Sequence, residues 1–476
     1  MLRPNRLLHH AHPVSSLALA VYGAAAMQPI RAYHLPRACA PRTRSLTANG
    51  IALEVACPEA AEWAGVALAC RQARHRVRRR SVDDILVALQ RAYHGWTDEN
   101  SCQGRLAYEM LPSITGFSTE MIRHGLPKLL EPLRVDSIRA LLAAELCNSK
   151  ERAPIAPELL VHVLSGNIPG LAAIPMHLSL ALQSAAIFKT AAGDPLFAAL
   201  WAQAIAAVDP ELGDCLAVTH WAGGDEAIER AVFHDADVVV ASGADAAITA
   251  IAARVRGRFV GYGHKISFAA IGKECLHDND SASSLARGLA YDVSLWDQQG
   301  CLSPQLCYVE SGGQIEPEDF AMLLERWLDH YATELPPRQL TLDEKAAVAR
   351  FRHEAEWAPE TILRASRNSS AWSIAIERDS RFRPTCLNRC LRLKAVPSLE
   401  ELGTALEGYR NHLEAVGLAV GQQRLTSLAR TLGDAGVHRV CAIGNMQQPP
   451  LSWCQGGRPR VGDWVEWMQI EGRNDG

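Results

Sequence analysis

From Ser81 onward, apolar residues return every three or four positions. Ile85, Leu86, Leu89, Ala92 and Tyr93 fall on one helical face, Ser81 and Asp84 form a capping-box variant at its start, and Gly95 is the expected end. The same period predicts helices over 121–130, with a break before Pro127, and over 135–146. After Glu158 the pattern changes. Short apolar runs at 159–164, 185–189, 215–219, 237–241 and 259–261 predict buried strands. The segments between them, 171–183, 195–207, 225–233 and 246–255, are long enough for crossover helices, so 158–262 predicts a doubly wound α/β domain with a parallel sheet. Asp194 followed by Pro195 marks one helix start, an N-cap oxygen before a residue already set at helical φ.

A second α/β unit is expected after Tyr262. It opens with a strand over 265–271, turns at Asp278-Asn279-Asp280 and continues as a helix over 282–296. That helix is expected to stop in Asp297-Gln298-Gln299-Gly300-Cys301, where Gly300 loosens the backbone and presents a thiol on a turn. Further helices are expected over 317–331, 342–357 and 399–416. The chain thus divides into an N-terminal tail (1–50), a helical lead-in with a dinucleotide-type domain (51–262), a catalytic thiol domain (263–440) and a C-terminal segment (441–476). No internal repeat or low-complexity segment interrupts it.

Composition narrows the classes. With 476 residues, 48% hydrophobic, 21% charged and a net charge of -4, neither disorder nor nucleic-acid binding is favoured. Arg71, Arg74, Arg76, Arg78, Arg79 and Arg80 form the one strongly basic stretch, read as a solvated lead-in to a helix, with a phosphate-rich ligand such as coenzyme A as the competing reading. Thirteen cysteines without regular spacing, several in apolar runs such as Cys147 and Cys215, fit buried thiols in a reducing, cytoplasmic setting. Cys386 and Cys390 have no second Cys/His pair at zinc spacing, so no metal is expected. Arg3 and Arg6 before the weakly apolar stretch 14–26 resemble a signal peptide, against which stands a start of translation at Met27. That stretch is too short to span a bilayer, and no membrane span is expected elsewhere.

Cys301 is the candidate nucleophile, because it follows a helix in a polar turn. Asn167, in Ser165-Gly166-Asn167-Ile168-Pro169 after a strand, carries an amide that can donate to an oxyanion or simply close a turn. Lys189 ends a strand, and before Pro195 the only carboxylate is Asp194, assigned to capping. Ribose hydroxyls are gripped by carboxylates and a 2′-phosphate by cations, so NADPH is expected over NADH. A lone lysine at a strand end also reads as a surface residue.

Together these residues resemble the aldehyde dehydrogenase superfamily. Gly166-Asn167-Ile168-Pro169 resembles its oxyanion motif, Lys189 with Pro195 its cofactor-ribose motif, Ser242-Gly243 the glycine opening its phosphate-facing helix, and Gly300-Cys301 its catalytic cysteine. A closer resemblance is to LuxC-type fatty acyl-CoA reductases. It is carried by Ile114-Thr115-Gly116-Phe117-Ser118 with Glu120-Met121, Gly263-His264-Lys265-Ile266-Ser267-Phe268, Trp296 to Pro304, and Gly444-Asn445-Met446-Gln447 with Pro449, Pro450 and Trp453. The resemblance implies a Rossmann-type cofactor domain plus an α/β catalytic domain. It implies NADPH-dependent reduction of a long-chain acyl thioester, acyl-CoA or a similar donor, through an acyl-enzyme on Cys301 assisted by Asn167. Lys189, Pro195, Gly243 and Gly263 would lie at the cofactor. A homo-oligomer and an acyltransferase or acyl-protein synthetase partner are implied as well. Gly261 occupies the register of the hydrolytic family's general-base glutamate, which favours acyl exchange between thiols over hydrolysis. A hydrolytic aldehyde dehydrogenase and a silent acyl-transfer scaffold are the competing readings, and His264 stands between proton transfer and a loop hydrogen bond.

Overall fold

The computed structural model describes residues 29–97, 101–146 and 152–471. The apolar stretch 14–26 and Cys147 lie outside them. The first sheet has five parallel strands in the order Leu216–Thr219, Ala185–Lys189, Leu159–Val163, Val238–Ser242, Arg258–Tyr262. Each expected strand is present to within one residue at either end. Leu159–Val163 and Ala185–Lys189 are buried at every position, which is why their sequences show no polar alternation. Helices Ala173–Ala181, Phe197–Val208, Glu226–His234 and Asp245–Ala252 connect the strands. The chain builds outward from its first strand to Leu216–Thr219 and then returns to that strand's other side. This reversal opens a crevice at the carboxyl ends of Leu159–Val163 and Val238–Ser242, where ligands of such sheets sit.

The second sheet has seven strands, ordered Ile362–Ala365, Ser373–Glu377, Cys390–Val396, Pro304–Glu310, Ile266–Ile271, Leu413–Ala419, Arg439–Cys441, with only the first antiparallel to its neighbour. A small N-terminal sheet contains the hairpin Thr43–Ala48/Ile51–Ala56. Glu466–Gln469 pairs antiparallel with Arg152–Ile155 as a separate ribbon. Among the described residues no helix is long and apolar enough to cross a membrane, and no cluster of three or more His, Cys, Asp or Glu side chains is arranged to hold a metal.

Several local expectations are corrected. Helix Thr119–Leu130 runs through Pro127. Pro127 and Arg123, whose carbonyl loses its donor, are both exposed, so water satisfies the gap. Helix Val82–Thr97 passes Gly95 because Trp96 beyond it is buried against Phe197 and Trp201. The basic run is only partly solvated: Arg76, Arg78 and Arg79 are exposed. Half of it, Arg71, Arg74 and Arg76, lies in helix Trp63–Val77, where Arg71 and Arg74 pair with Glu158 at 2.6 and 3.3 Å, while Arg80 pairs with Asp209 at 2.7 Å. The expected helix over 399–416 is instead a short helix, Leu402–Ala405, followed by the buried strand Leu413–Ala419. The helix before Cys301 spans Asn279–Ser294, two residues short of its expected end.

Candidate active site

Helix Asn279–Ser294 stops because the next turn is left-handed. Trp296, Asp297 and Gln298 have φ of 60°, 49° and 61°. Three consecutive L-residues in this region are costly, roughly 1 kcal/mol or more each, and persist only where surrounding contacts demand them. A second left-handed run, Leu387, Asn388 and Arg389 at 61°, 56° and 59°, packs against the first. Arg389 Nε donates to Asp297 Oδ1 at 2.6 Å, with both side chains 1% exposed. The Asn388 N–H donates to the Asp297 carbonyl at 3.2 Å and the Arg338 N–H to Asp297 Oδ2 at 2.9 Å. Gln298 Nε2 bonds the carbonyls of Pro304 and Cys390, and Gln299 Nε2 bonds Asn388 Oδ1. The polar turn expected before Cys301 is therefore a clamped element that fixes where the thiol emerges.

Asn167 lies beside that turn: its Nδ2 donates to the Gln299 carbonyl at 3.4 Å. Ile168 packs under Gly300, where a Cβ would lie 3.0 Å from Ile168 Cδ1. The structure thus brings together Asn167 from the first sheet and Cys301 from the second. Ser267 supports the same loop. Its hydroxyl donates to the Cys301 carbonyl at 2.6 Å and accepts the Ala415 N–H at 3.1 Å. At Ser267 the pairing of Ile266–Ile271 slips register against both neighbouring strands, a bulge of the kind that re-aims side chains near sites.

The segment around Phe117 has a physical role here. Gly116, at φ 79°, ends one helix, and the Ser118 hydroxyl caps the next by accepting the Met121 N–H. Phe117 then stacks edge-on against Trp296, and Met121 Sδ accepts the Trp296 N–H at 3.2 Å. Gly125 faces the same indole: a Cβ there would lie 2.3 Å from Trp296 Cζ2. Gly125→Ala is expected to destabilise the fold by about 1–3 kcal/mol through this overlap, measurable as a lower urea midpoint at unchanged slope.

Gly444 to Gln447 wraps the end of the same helix. Asp292 Oδ2 and Oδ1 accept the N–H groups of Gly444 and Met446 at 2.6 and 3.1 Å, and Gln447 Nε2 reaches Ser303 Oγ at 2.8 Å. Burial pushes the Asp292 carboxyl up to about 7 despite those donors. A carboxyl raised on folding contributes stability while protonated. That contribution is complete below about 4, the ordinary range, and is lost as pH rises through about 7. The difference in thermal midpoint between the native chain and Asp292→Asn should therefore change across that window, by the equivalent of a few kcal/mol, and be flat above it. A difference independent of pH would sink this assignment.

On the other wall, Lys189 ends its strand with its stem buried and its ammonium 5.9 Å from the centre of the Trp221 ring. It makes no hydrogen bond or ion pair among the described residues, and burial lowers its pKa. Asp194 is occupied as expected: Oδ1 accepts the N–H groups of Leu196 and Phe197 at 3.3 and 3.0 Å, although the helix begins at Phe197 rather than Pro195. Pro195 is buried at this helix start. Gly243 precedes helix Asp245–Ala252 with open space where a side chain would be, its nearest neighbour 4.0 Å away. Gly263 is different, since a Cβ would lie 2.3 Å from Asp245 Oδ1, which accepts the His264 N–H at 2.8 Å. A side chain there would displace the Asp245 carboxylate from the His264 N–H. The His264 side chain is exposed, and its carbonyl faces His412 Nδ1 at 3.3 Å.

Cys301 reaches solvent, yet its surroundings desolvate the sulfur enough to push the thiol up to about 12. The Glu414 carboxylate adds to the rise, while the thiol's own backbone N–H, Arg460 and Lys265 oppose it. Arg460 is anchored from afar: Glu145 accepts the N–H groups of Arg460, Val461 and Gly462 at 2.9, 2.7 and 3.0 Å. Ser267, Asp297, Arg389, Glu414 and Arg460 went unassigned in the sequence reading. Only Glu414 left a local signal, a carboxylate inside an apolar run.

Comparison with known proteins gives this arrangement a lineage. Long-chain acyl-protein thioester reductase of Photorhabdus luminescens is 30% identical over 204 residues, 42% of this chain and 41% of that protein. The same-named protein of Aliivibrio fischeri is 28% identical over 290 residues, 60% and 58% of the two chains. The chain therefore spans about half the length of the curated relatives it matches. Among solved structures, aldehyde dehydrogenase C of Pseudomonas syringae, in complex with NAD+ and octanal, superposes with a TM-score of 0.70 at 15% identity over 92% of this chain and 96% of that one. NADP-dependent glyceraldehyde-3-phosphate dehydrogenase of Bacillus halodurans gives 0.71 at 12% over 93% and 100%. At such identities the likeness establishes the aldehyde dehydrogenase-like fold. The family model for acyl-CoA reductase (LuxC) matches residues 77–454, and the chain belongs to that family.

Proposed function

We propose that the chain reduces a long-chain acyl thioester to the aldehyde with NADPH, through an acyl-enzyme on Cys301. The observation that carries this reading is the Asn167 amide bonding, through the Gln299 carbonyl, the clamped turn that bears the exposed residue Cys301. The Cys301 sulfur attacks the acyl carbon, and Asn167 Nδ2 and the Cys301 N–H donate to the resulting oxyanion. The donor thiol then departs, leaving the acyl group on Cys301. When bound, the nicotinamide supplies a hydride to the acyl carbon. Breaking the C–S bond to Cys301 then releases the aldehyde. The cofactor residues fit their group. At the carboxyl end of its strand Lys189 holds an ammonium with no hydrogen bond or ion pair among the described residues, Gly243 leaves backbone open to approach, and Asp194 is tied to its own helix. That combination favours a 2′-phosphate over a free ribose hydroxyl.

Hydrolysis is disfavoured by space as well as by sequence. A Cβ on Gly261 would lie 2.7 Å from Ile248 Cγ2, so the register of a hydrolytic glutamate has no room for one. The relatives' names point to acyl-protein donors, which makes acyl transfer from a partner protein the alternative to acyl-CoA. Purified protein should oxidise NADPH in proportion to aldehyde formed when given a panel of acyl-CoA and acyl-protein thioesters, more efficiently than it oxidises NADH. Release of free acid from aldehyde at the greater rate would overturn the proposal.

A further inference from the structure

We propose that Glu414 is the proton acceptor for the Cys301 thiol, an inference that rests on Cys301 being the acyl-accepting nucleophile. Both chain neighbours of Glu414 are tied to the nucleophile loop or its partner strand. The Ala415 N–H shares the Ser267 hydroxyl with the Cys301 carbonyl, and Ala415 packs with Leu302 and Trp453 in one small apolar cluster. Leu413 pairs with Ile266, beside the bulge at Ser267. The Glu414 side chain is 0% exposed. Its Oε1 accepts the Gly456 N–H at 2.9 Å, and its Oε2 has no hydrogen-bond partner among the described residues. A buried carboxylate oxygen without a donor is costly and calls for a function.

The charged groups around it are Lys265, Arg460 and Arg439. None is ion-paired with it: Lys265 Nζ donates to the carbonyls of Asn411 and Leu413, Arg460 Nε to that of Trp453, and Arg439 to those of Asn445 and Met446. The charges of Lys265 and Arg460 also act on Cys301, so a proton moving from sulfur to Glu414 leaves the local charge unchanged and the thiolate within the field of two cations. The step balances within the site. The S–H bond breaks and an O–H bond forms at Oε2, directly or through one water, as the sulfur pair attacks the acyl carbon. When the donor's C–S bond breaks, the same proton passes to the departing thiolate, and Glu414 is again a carboxylate.

Glu414→Gln tests this by the sign of two effects. Removing the carboxylate lowers the thiol's pKa, so iodoacetamide alkylation of Cys301 should titrate at lower pH than in the native chain. A bystander charge would then make single-turnover acylation by a long-chain acyl-CoA faster. As proton acceptor, Glu414 makes it slower, by about 10²–10⁴-fold at neutral pH, with Glu414→Asp recovering part of the rate. Acylation at or above the native rate in a folded Glu414→Gln protein overturns the proposal. Should that variant fail to fold, Glu414→Asp decides: slowed acylation at an unchanged thiol titration supports the role, and unslowed acylation ends it. If native protein accepts no acyl group on Cys301, the functional reading itself has failed, an outcome distinct from these.

Discussion

Cys301→Ala is expected to abolish both covalent labelling by radiolabelled acyl thioester and thioester-dependent oxidation of NADPH, while leaving the fold and NADPH binding unchanged. The reasoning is geometric. Among the described residues the exposed thiols are Cys102, Cys301 and Cys454, and only Cys301 stands on the turn that meets the Asn167 amide. Cys102 begins a helix remote in sequence from either sheet, and Cys454 lies in the segment that carries Trp453 over the site. On the proposed mechanism the substitution takes away the covalent route, and the enzyme-bound thioester that accepts hydride does not form. The measurement is retention of label after denaturation, followed by identification of the labelled peptide. Equal labelling of native and variant protein would remove Cys301 from the reaction, and label on the Cys454 peptide would name its replacement.

Arg389→Met should destabilise the protein by roughly 3–5 kcal/mol, because it leaves the Asp297 carboxylate buried with its charge unpaired. The loss has a functional side that simple unfolding lacks. Asp297 occupies the middle of the left-handed run ahead of Cys301, and Arg389 closes the opposing run, so the pair holds two strained segments against each other. Asp297→Asn combined with Arg389→Met removes the charge and should regain much of the stability. Its acylation rate should stay below native, since Arg389 also fixes the Leu335 carbonyl through Nη2 at 2.6 Å and the double variant restores neither bond. Urea midpoints and single-turnover acylation separate the two effects. Full recovery of rate with stability would reduce the pair to a purely structural one.

What the sequence made legible follows from what each residue's neighbours are. The five strands of the first sheet announced themselves because parallel strands covered on both faces need unbroken apolar runs, and the Asp194 cap because it acts within three residues. Leu413–Ala419 was misread as the end of a helix. Its glutamate breaks the apolar run that a buried strand should show, and the pattern could not reveal that this carboxylate is buried within the sheet. Lys189 ends its strand and Asn167 follows the strand ending at Val163, places that the apolar runs before them marked. The clamp between Asp297 and Arg389 was invisible because it joins residues 92 apart in the chain, and nothing local demands a left-handed Trp296 or Leu387.

The grip of Glu145 on residues 460–462 spans 315 positions. During biosynthesis this contact forms late: the two large sheets can form while the chain is still growing, but Arg460 takes its place near Cys301 only after residues 460–462 have emerged and folded back. A polypeptide that stops short of residue 460 would therefore present Cys301 in an unfinished pocket.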